Sequence, residues 1–418
     1  MKKKISIIFI WIFSIVISVL WTFENPEKIE KIKSSFKKNK KPEISKSQNL
    51  SKSVIANSYN VSYTRVLDLT NKTAFVSHPK KLPKLKIEEL TIYTQNGYLI
   101  KNLIPKKLNL PKSFTLQRNG GVKTIISIAN KKLALISANK SNCFFASLND
   151  IETSEEIFRT KCLPEEAKNN DFNGLGSSNV HLNNSILLAL GTPEKHASKN
   201  SKLAQENDSM FGKILKIKKE NLIKKLNNKN QELSIEIFSK GHRVPQGLTI
   251  LNDKIFNVEH GPKGGDELNL VVEGSNYGWP NVSYGTNYLK DGGGDGSSYQ
   301  INHEAKKYQE PLFAFVPSVG ISSLNNCPKI LKDYYKKSCL LALSLYGNNL
   351  RKGHSIIIFL LNKENNKVHS IEKISLGNLV LRHFVTDDQN NLYEDENGNI
   401  FISADKKGIY KVEFFKFR

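Results

Sequence analysis

Glu259-His260-Gly261-Pro262-Lys263-Gly264-Gly265-Asp266-Glu267-Leu268-Asn269, followed after a short gap by Asn276-Tyr277-Gly278-Trp279-Pro280, is the stretch on which the reading of this chain turns. Gly261-Pro262 and Gly264-Gly265 force tight turns with exposed backbone. Carbonyls exposed beside Asp266 and Glu267 suit a hard cation such as Ca²⁺. Just upstream stands Gly241-His242-Arg243-Val244-Pro245-Gln246-Gly247-Leu248. The planar donor fork of Arg243 suits a bound carboxylate or a quinone oxygen. Taken singly, each segment also reads as an elaborate turn carrying surface charge.

Outward from this stretch the pattern is strand-like. A short Asn/Asp/Gly turn leads into a β-rich run, and a second run follows. Asn130-Lys131-Lys132 precedes Leu133 to Ser137, and Asn183-Asn184 precedes Ser185 to Leu190. Asn252-Asp253 precedes Lys254 to Val258, and Asn397-Gly398 precedes Asn399 to Ser403. Such turns favour residues that tolerate positive φ. A hairpin recurring without strict identity is how a propeller blade looks in sequence, although a sandwich or solenoid gives a similar pattern. The one clear helical segment is Glu220 to Leu226, short and basic.

At 418 residues the chain is long for one ordinary domain, but closed all-β folds run large as single units. The net charge of +23 fits nucleic acid, an anionic surface or an acidic ligand. The lysines are spread along the chain and are not interleaved with aromatics, and no RNA-binding or helix-turn-helix signature accompanies them. Nucleic acid is therefore excluded as the expected partner.

Lys2, Lys3 and Lys4 precede an apolar run from Ile5 to Trp21. Without a small-residue cleavage site, this reads as an uncleaved signal anchor over residues 1–22. Residues 23–56 are Lys-, Glu-, Ser- and Asn-rich and read as a solvated linker. The folded part is expected at 57–418. A folded part outside the cytoplasm, tethered to the inner membrane, follows; secretion is the alternative. The lysines between Lys28 and Lys41 argue against this orientation on a strict positive-inside count. The four cysteines, Cys143, Cys162, Cys327 and Cys339, lack CxxC spacing. In an exported protein they suggest bridges. Of three connectivities, nearest-neighbour pairing joins 143 with 162 and 327 with 339.

In order and spacing, the segments around Arg243, Gly261-Pro262 and Asn276 to Pro280 resemble the glucose/sorbosone dehydrogenase family, in particular its aldose sugar dehydrogenases that use pyrroloquinoline quinone (PQQ). Phe211-Gly212-Lys213-Ile214-Leu215 resembles the strand before these motifs, and Val316-Pro317-Ser318 a later segment. The resemblance covers roughly residues 170 to 415. It implies an all-β, six-bladed β-propeller with PQQ over one mouth of the channel. It implies Ca²⁺ held partly by the carbonyls of Gly261 and Pro262, and cofactor contacts from Arg243, Gln246, His260 and Arg382. The implied activity is oxidation of the anomeric carbon of an aldose to a lactone, with a histidine as base.

The sequence departs from that pattern at named places. The family's base segment corresponds to Asp171-Phe172-Asn173-Gly174-Leu175-Gly176-Ser177-Ser178, so the base position falls on Asn173 or Gly174. Neither residue can take a proton. His181, a few residues on, is a displaced candidate or simply a strand histidine. An amide expected beside the cofactor is Val244, and expected cations are Tyr346 and Val380. Two expectations result: a PQQ- and Ca²⁺-dependent aldose dehydrogenase, or a catalytically silent propeller that binds a sugar, glycan or protein.

Overall fold

The structure, a computed structural model, describes residues 41–47, 51–55, 59–79, 84–164, 166, 169–194, 199–288, 294–299, 301–345 and 354–416. The expected anchor and Tyr346 lie outside the described residues.

Six antiparallel sheets of four or more strands follow one another along the chain, with a separate two-stranded sheet of Thr286–Tyr288 and Gly294–Ser298. The first blade holds Thr73–Ser77, Thr91–Thr94, Tyr98–Lys101 and Ile104–Lys107. The second holds Val122–Ile128, Lys131–Lys140, Cys143–Asp150 and Glu156–Arg159. The third holds Asn179–Leu182, Ser185–Leu190, Lys213–Lys218 and Glu236–Lys240. The fourth holds Val244–Leu251, Lys254–His260, Asp266–Val271 and Phe313–Phe315. The fifth holds Ile321–Asn326, Cys339–Ser344, Ser355–Leu361 and Val368–Ser375. The sixth joins Leu381–Phe384, Ile400–Ala404 and Gly408–Lys416 to Tyr59–Leu69, from the other end of the chain. Tyr59–Leu69 pairs antiparallel with Gly408–Lys416, Phe414 opposite Val61, and so closes the ring. The six-bladed propeller is thus present.

The linker boundary is corrected. Ile44–Lys46 and Ser51–Ile55, placed by composition in a solvated tether, are edge strands on Tyr59–Leu69. Backbone pairing needs no apolar run, and the few apolar side chains suffice. Ile44 and Val54 each pack against a core cluster.

Each pair of neighbouring blades encloses one apolar cluster. Middle strands covered on both faces read as continuous apolar runs, as in Ser185–Leu190 and Ser355–Leu361, where every residue is buried. The turn prediction holds at Asn130, Asn183, Asn252 and Gly398, all with positive φ. The expected helix runs Lys219–Asn227 and caps the third blade through buried Leu222. Polar side chains knit the innermost strands around the channel. Asn179 Nδ2 donates to Thr124 Oγ1 and to the Ile125 carbonyl, each at 3.0 Å. Ser322 Oγ donates to the Leu381 carbonyl at 2.7 Å.

Cys143 pairs with Cys162 and Cys327 with Cys339. The 19-residue separation of the first pair implies a contribution of about 3 kcal/mol through the unfolded chain. A Cys143→Ser/Cys162→Ser double variant is expected to lose that amount in urea unfolding. An unchanged midpoint would show that the bridge carries no stability.

Candidate functional site at one mouth of the channel

The quoted turn connects two adjacent strands of the fourth blade. A Cβ on Gly261 would lie 2.2 Å from the Gly265 carbonyl, which explains the residue type. Asp266 locks the turn. Its Oδ1 accepts the Gly261 N–H at 3.2 Å. Its Oδ2 accepts the N–H groups of Val319, Gly320 and Ile321 at 3.1, 2.6 and 3.0 Å. This carboxylate therefore staples the turn to the start of the fifth blade. Glu267 lies on the neighbouring strand opposite Glu259. Burial, reinforced by Glu259, pushes Glu267 well above the usual carboxylate range. Glu259 Oε2 in turn meets His242 Nδ1 at 3.1 Å, and His242 stacks on Tyr277. Asp266 is thus committed to holding the turn, while Glu267 accepts from Asn269 Nδ2 at 3.3 Å.

Arg243 is a node, not a free donor fork. Its Nη1 donates to the carbonyls of Gly261 at 2.5 Å and His260 at 3.3 Å. Its Nε lies 3.2 Å from Glu194 Oε1, and its guanidinium rests 5.1 Å above the Trp279 ring. Glu194 is wholly buried, which pushes it up to about 7 against the opposing pull of Arg243. Ser201 Oγ donates to the same carboxylate. No motif marked Glu194; only a lone acid after an apolar strand hinted at it.

The guanidinium bears directly on the expected metal. Ca²⁺ needs carbonyl oxygens at about 2.3–2.6 Å. An ion on the Gly261 carbonyl would stand about 4 Å from Nη1, where two unit charges repel by about 4 kcal/mol and a divalent ion by roughly twice that. Gly261-Pro262 with Arg243 in this place does not fit Ca²⁺. Among the described residues, no three His, Cys, Asp or Glu side chains cluster as a substitute ligand set.

Two cavities open where the inner strands begin. One, of about 300 Å³, is lined by Arg243, His260, Gly261, Pro262 and Ser318. His260 Nε2 and Ser318 Oγ are buried there without partners. Burial pulls the His260 imidazole below its usual range, against the opposing charge of Asp266. The other, of about 60 Å³, brings together Lys72, Gln95, Lys123, Asn173, Gln246 and Arg382, with His383 and Ser177 beside them. Gly176 (φ 56°) packs so closely that a Cβ would meet the Pro245 carbonyl at 2.1 Å. Ser177 sits at φ 110° and its Oγ is buried without a partner. A non-glycine held there is strained, as happens at ligand sites. A roomier groove of about 520 Å³ lies beside Lys52, Arg65 and Lys407 at the edge of the sixth blade, remote from these residues.

The placements of the expected residues divide. Asn173, Gln246 and Arg382 share one cavity, and Arg243, His260, Gly261 and Pro262 share the other. Arg382 is held by Asp405, its Nε 3.0 Å from Oδ1 and its Nη2 on Oδ2. His181 lines neither cavity. Burial pulls it down to about 4, and the charges it feels are Lys219 and Asp387, past the ends of strands that run away from the mouth. Val244 is buried in its strand. Sequence reasoning missed Lys72, Gln95, Lys123 and His383. The signal for Lys123 was a lysine at the start of the mostly apolar strand Val122–Ile128.

Residues 129–399 match the model of the Glucose / Sorbosone dehydrogenase family. This chain belongs to that family. It is 37% identical over 98 residues to quinoprotein glucose dehydrogenase B of Acinetobacter calcoaceticus, covering 23% of this chain and 20% of that one. It is 31% identical over 148 residues to aldose sugar dehydrogenase YliI of Escherichia coli (strain K12), covering 33% and 36%. These matches span only about a fifth to a third of the relatives' length. A crystal structure of a glucose dehydrogenase superposes with a TM-score of 0.63 at 19% identity, over 85% of this chain and 99% of that one.

Proposed function

We propose that this family member binds PQQ at the mouth described above and oxidises the anomeric carbon of aldoses to lactones. The observation that supports it is the convergence of Gln246, Arg382 and Lys72 on one cavity next to strained Ser177. Cationic and amide donors on one side suit a tricarboxylate. The unpartnered Ser177 Oγ, His260 Nε2 and Ser318 Oγ are polar atoms that such a ligand would satisfy. PQQ, when bound, supplies a quinone that accepts hydride. The name of the Acinetobacter relative, a quinoprotein glucose dehydrogenase, supports the same reading. Because Arg243 stands on the Gly261 carbonyl, calcium is left out of this reading. The two disulfides support an extracytoplasmic location, with residues 1–22 as inner-membrane anchor or, alternatively, secretion signal.

A silent propeller that binds a sugar, glycan or protein is the second reading. It is favoured by Asn173 at the base position and by the Asp405 clamp on Arg382. The test is a titration with PQQ followed by dye reduction with a panel of aldoses. The first reading expects a rise in melting temperature, since ligand at 100 times Kd adds about 2.7 kcal/mol, together with turnover. A shift without turnover selects the silent reading. Neither shift nor turnover removes PQQ altogether.

A further inference from the structure

We propose that Lys123 is the proton acceptor for the sugar hydroxyl, in place of the missing histidine. The assignment rests on the PQQ dehydrogenase reading and names a group inside that site. Lys123 lines the same cavity as Asn173, Ser177, Gln246 and Arg382. It is also tied to the segment that carries Asn173. Lys123 Nζ donates to the Asn119 carbonyl at 3.0 Å. Asn119 Nδ2 donates to Asp171 Oδ1 at 3.1 Å, and the same oxygen accepts the Asn173 N–H at 2.8 Å. The Phe172 N–H donates to the Arg118 carbonyl at 2.8 Å and closes the frame. The amine is therefore held a few bonds from the position where the base would stand.

Its surroundings favour a neutral amine. Burial is the main cause, opposed by Asp171 and reinforced by Arg382 and Lys72; together they pull Lys123 down to about 7. Lys72 and His383 are the other titratable nitrogens lining this cavity, and of the three it is Lys123 that the frame just described ties by hydrogen bonds to the Asn173 segment. For His383, burial and the Arg382 charge pull the imidazole down to about 4, too weak a base to take a hydroxyl proton efficiently. Arg382 cannot deprotonate. In the proposed step the anomeric hydroxyl gives its proton to the Lys123 lone pair; a bound PQQ would supply the quinone that takes the hydride from the anomeric carbon. The C–O bond becomes a carbonyl and the product is a lactone. The amine, now an ammonium, returns its proton to solvent.

The sign of the pH dependence follows. The reactive form is the neutral amine, so kcat/KM rises about tenfold per pH unit below 7 and levels off above it. Lysine side-chain NMR on the PQQ-free protein gives a readout without turnover. Two lysines, Lys123 and buried Lys213, are expected to titrate near 7, and only the Lys123 signal is expected to be absent from Lys123→Met. In the PQQ-loaded protein, Lys123→Met and Lys123→Arg are each expected to lower kcat at least 100-fold while PQQ still binds, because arginine keeps the charge but not the lone pair. Adding Asn173→His to Lys123→Met is expected to recover part of the loss. The assignment falls if no lysine signal titrating below 9 disappears in Lys123→Met, or if Lys123→Arg turns over within tenfold of the parent. PQQ failing to bind the parent protein instead removes the functional reading, and the assignment with it. A parent that turns over independently of Lys123 removes the assignment alone.

Discussion

Asp266→Ala is expected to lose about 4 kcal/mol or more of stability, the largest single-site effect at this mouth. Its two oxygens accept four backbone N–H groups, one from the Gly261 turn and three from Val319 to Ile321. Hydrogen bonds to a charged group contribute about 1.5–3 kcal/mol each, and a buried donor left alone costs about 1–3 kcal/mol. Relaxation of the loops recovers part of the sum. Even so the loss is a large share of the about 5–15 kcal/mol that holds a domain together. Asp266→Asn separates charge from geometry. Its carbonyl can face the three-donor nest, while its amide faces the Gly261 N–H and repels it. A loss of about 2 kcal/mol is expected. Urea unfolding of both variants checks the order. If alanine costs no more than asparagine, or either costs under about 0.5 kcal/mol, Asp266 is not the staple between the fourth and fifth blades.

This residue also marks what the sequence could and could not say. The recurrence of Asn/Asp/Gly turns before apolar runs exposed the blades, because a strand packed on both faces has a continuous apolar signature. The closing strand Tyr59–Leu69 was not legible as such, since its partner Gly408–Lys416 lies at the opposite end of the chain and backbone pairing leaves no mark in side-chain type. For the same reason the edge strands at 44–46 and 51–55 read as linker. At the site, residue type was legible but occupancy was not. Asp266 beside a glycine turn suggests a cation ligand, and only the fold shows four N–H groups already pointing at it. Arg243 reads as a donor for a ligand, whereas in the fold its donors face the Gly261 and His260 carbonyls and the Glu194 carboxylate. Lys123 and Glu194 carried little signal because their roles depend on burial among loops from different blades.

Calcium is expected to leave the parent protein unchanged: no shift in melting temperature at millimolar Ca²⁺, and PQQ affinity equal within twofold in EDTA and in Ca²⁺. The reason is the guanidinium on the Gly261 carbonyl, a resident cation where a divalent ion would bond. Removing it should open the turn. Arg243→Met keeps apolar contact with Trp279 but strands Glu194, whose Oε1 loses its ion-pair partner. Breaking one side of a buried pair costs about 3–5 kcal/mol, while replacing both sides is far milder. The informative variant is therefore Glu194→Gln/Arg243→Met. The glutamine still meets Ser201, and no unpaired charge remains. With the guanidinium gone, the Gly261 and Pro262 carbonyls are free to ligate, and Ca²⁺ affinity is expected to rise at least tenfold over the parent. PQQ binding by the double variant should then depend on Ca²⁺, because the ligand has lost one cation and gains the other. A parent that binds Ca²⁺ at micromolar concentration by calorimetry would falsify the resident-cation account and return the turn to the metal.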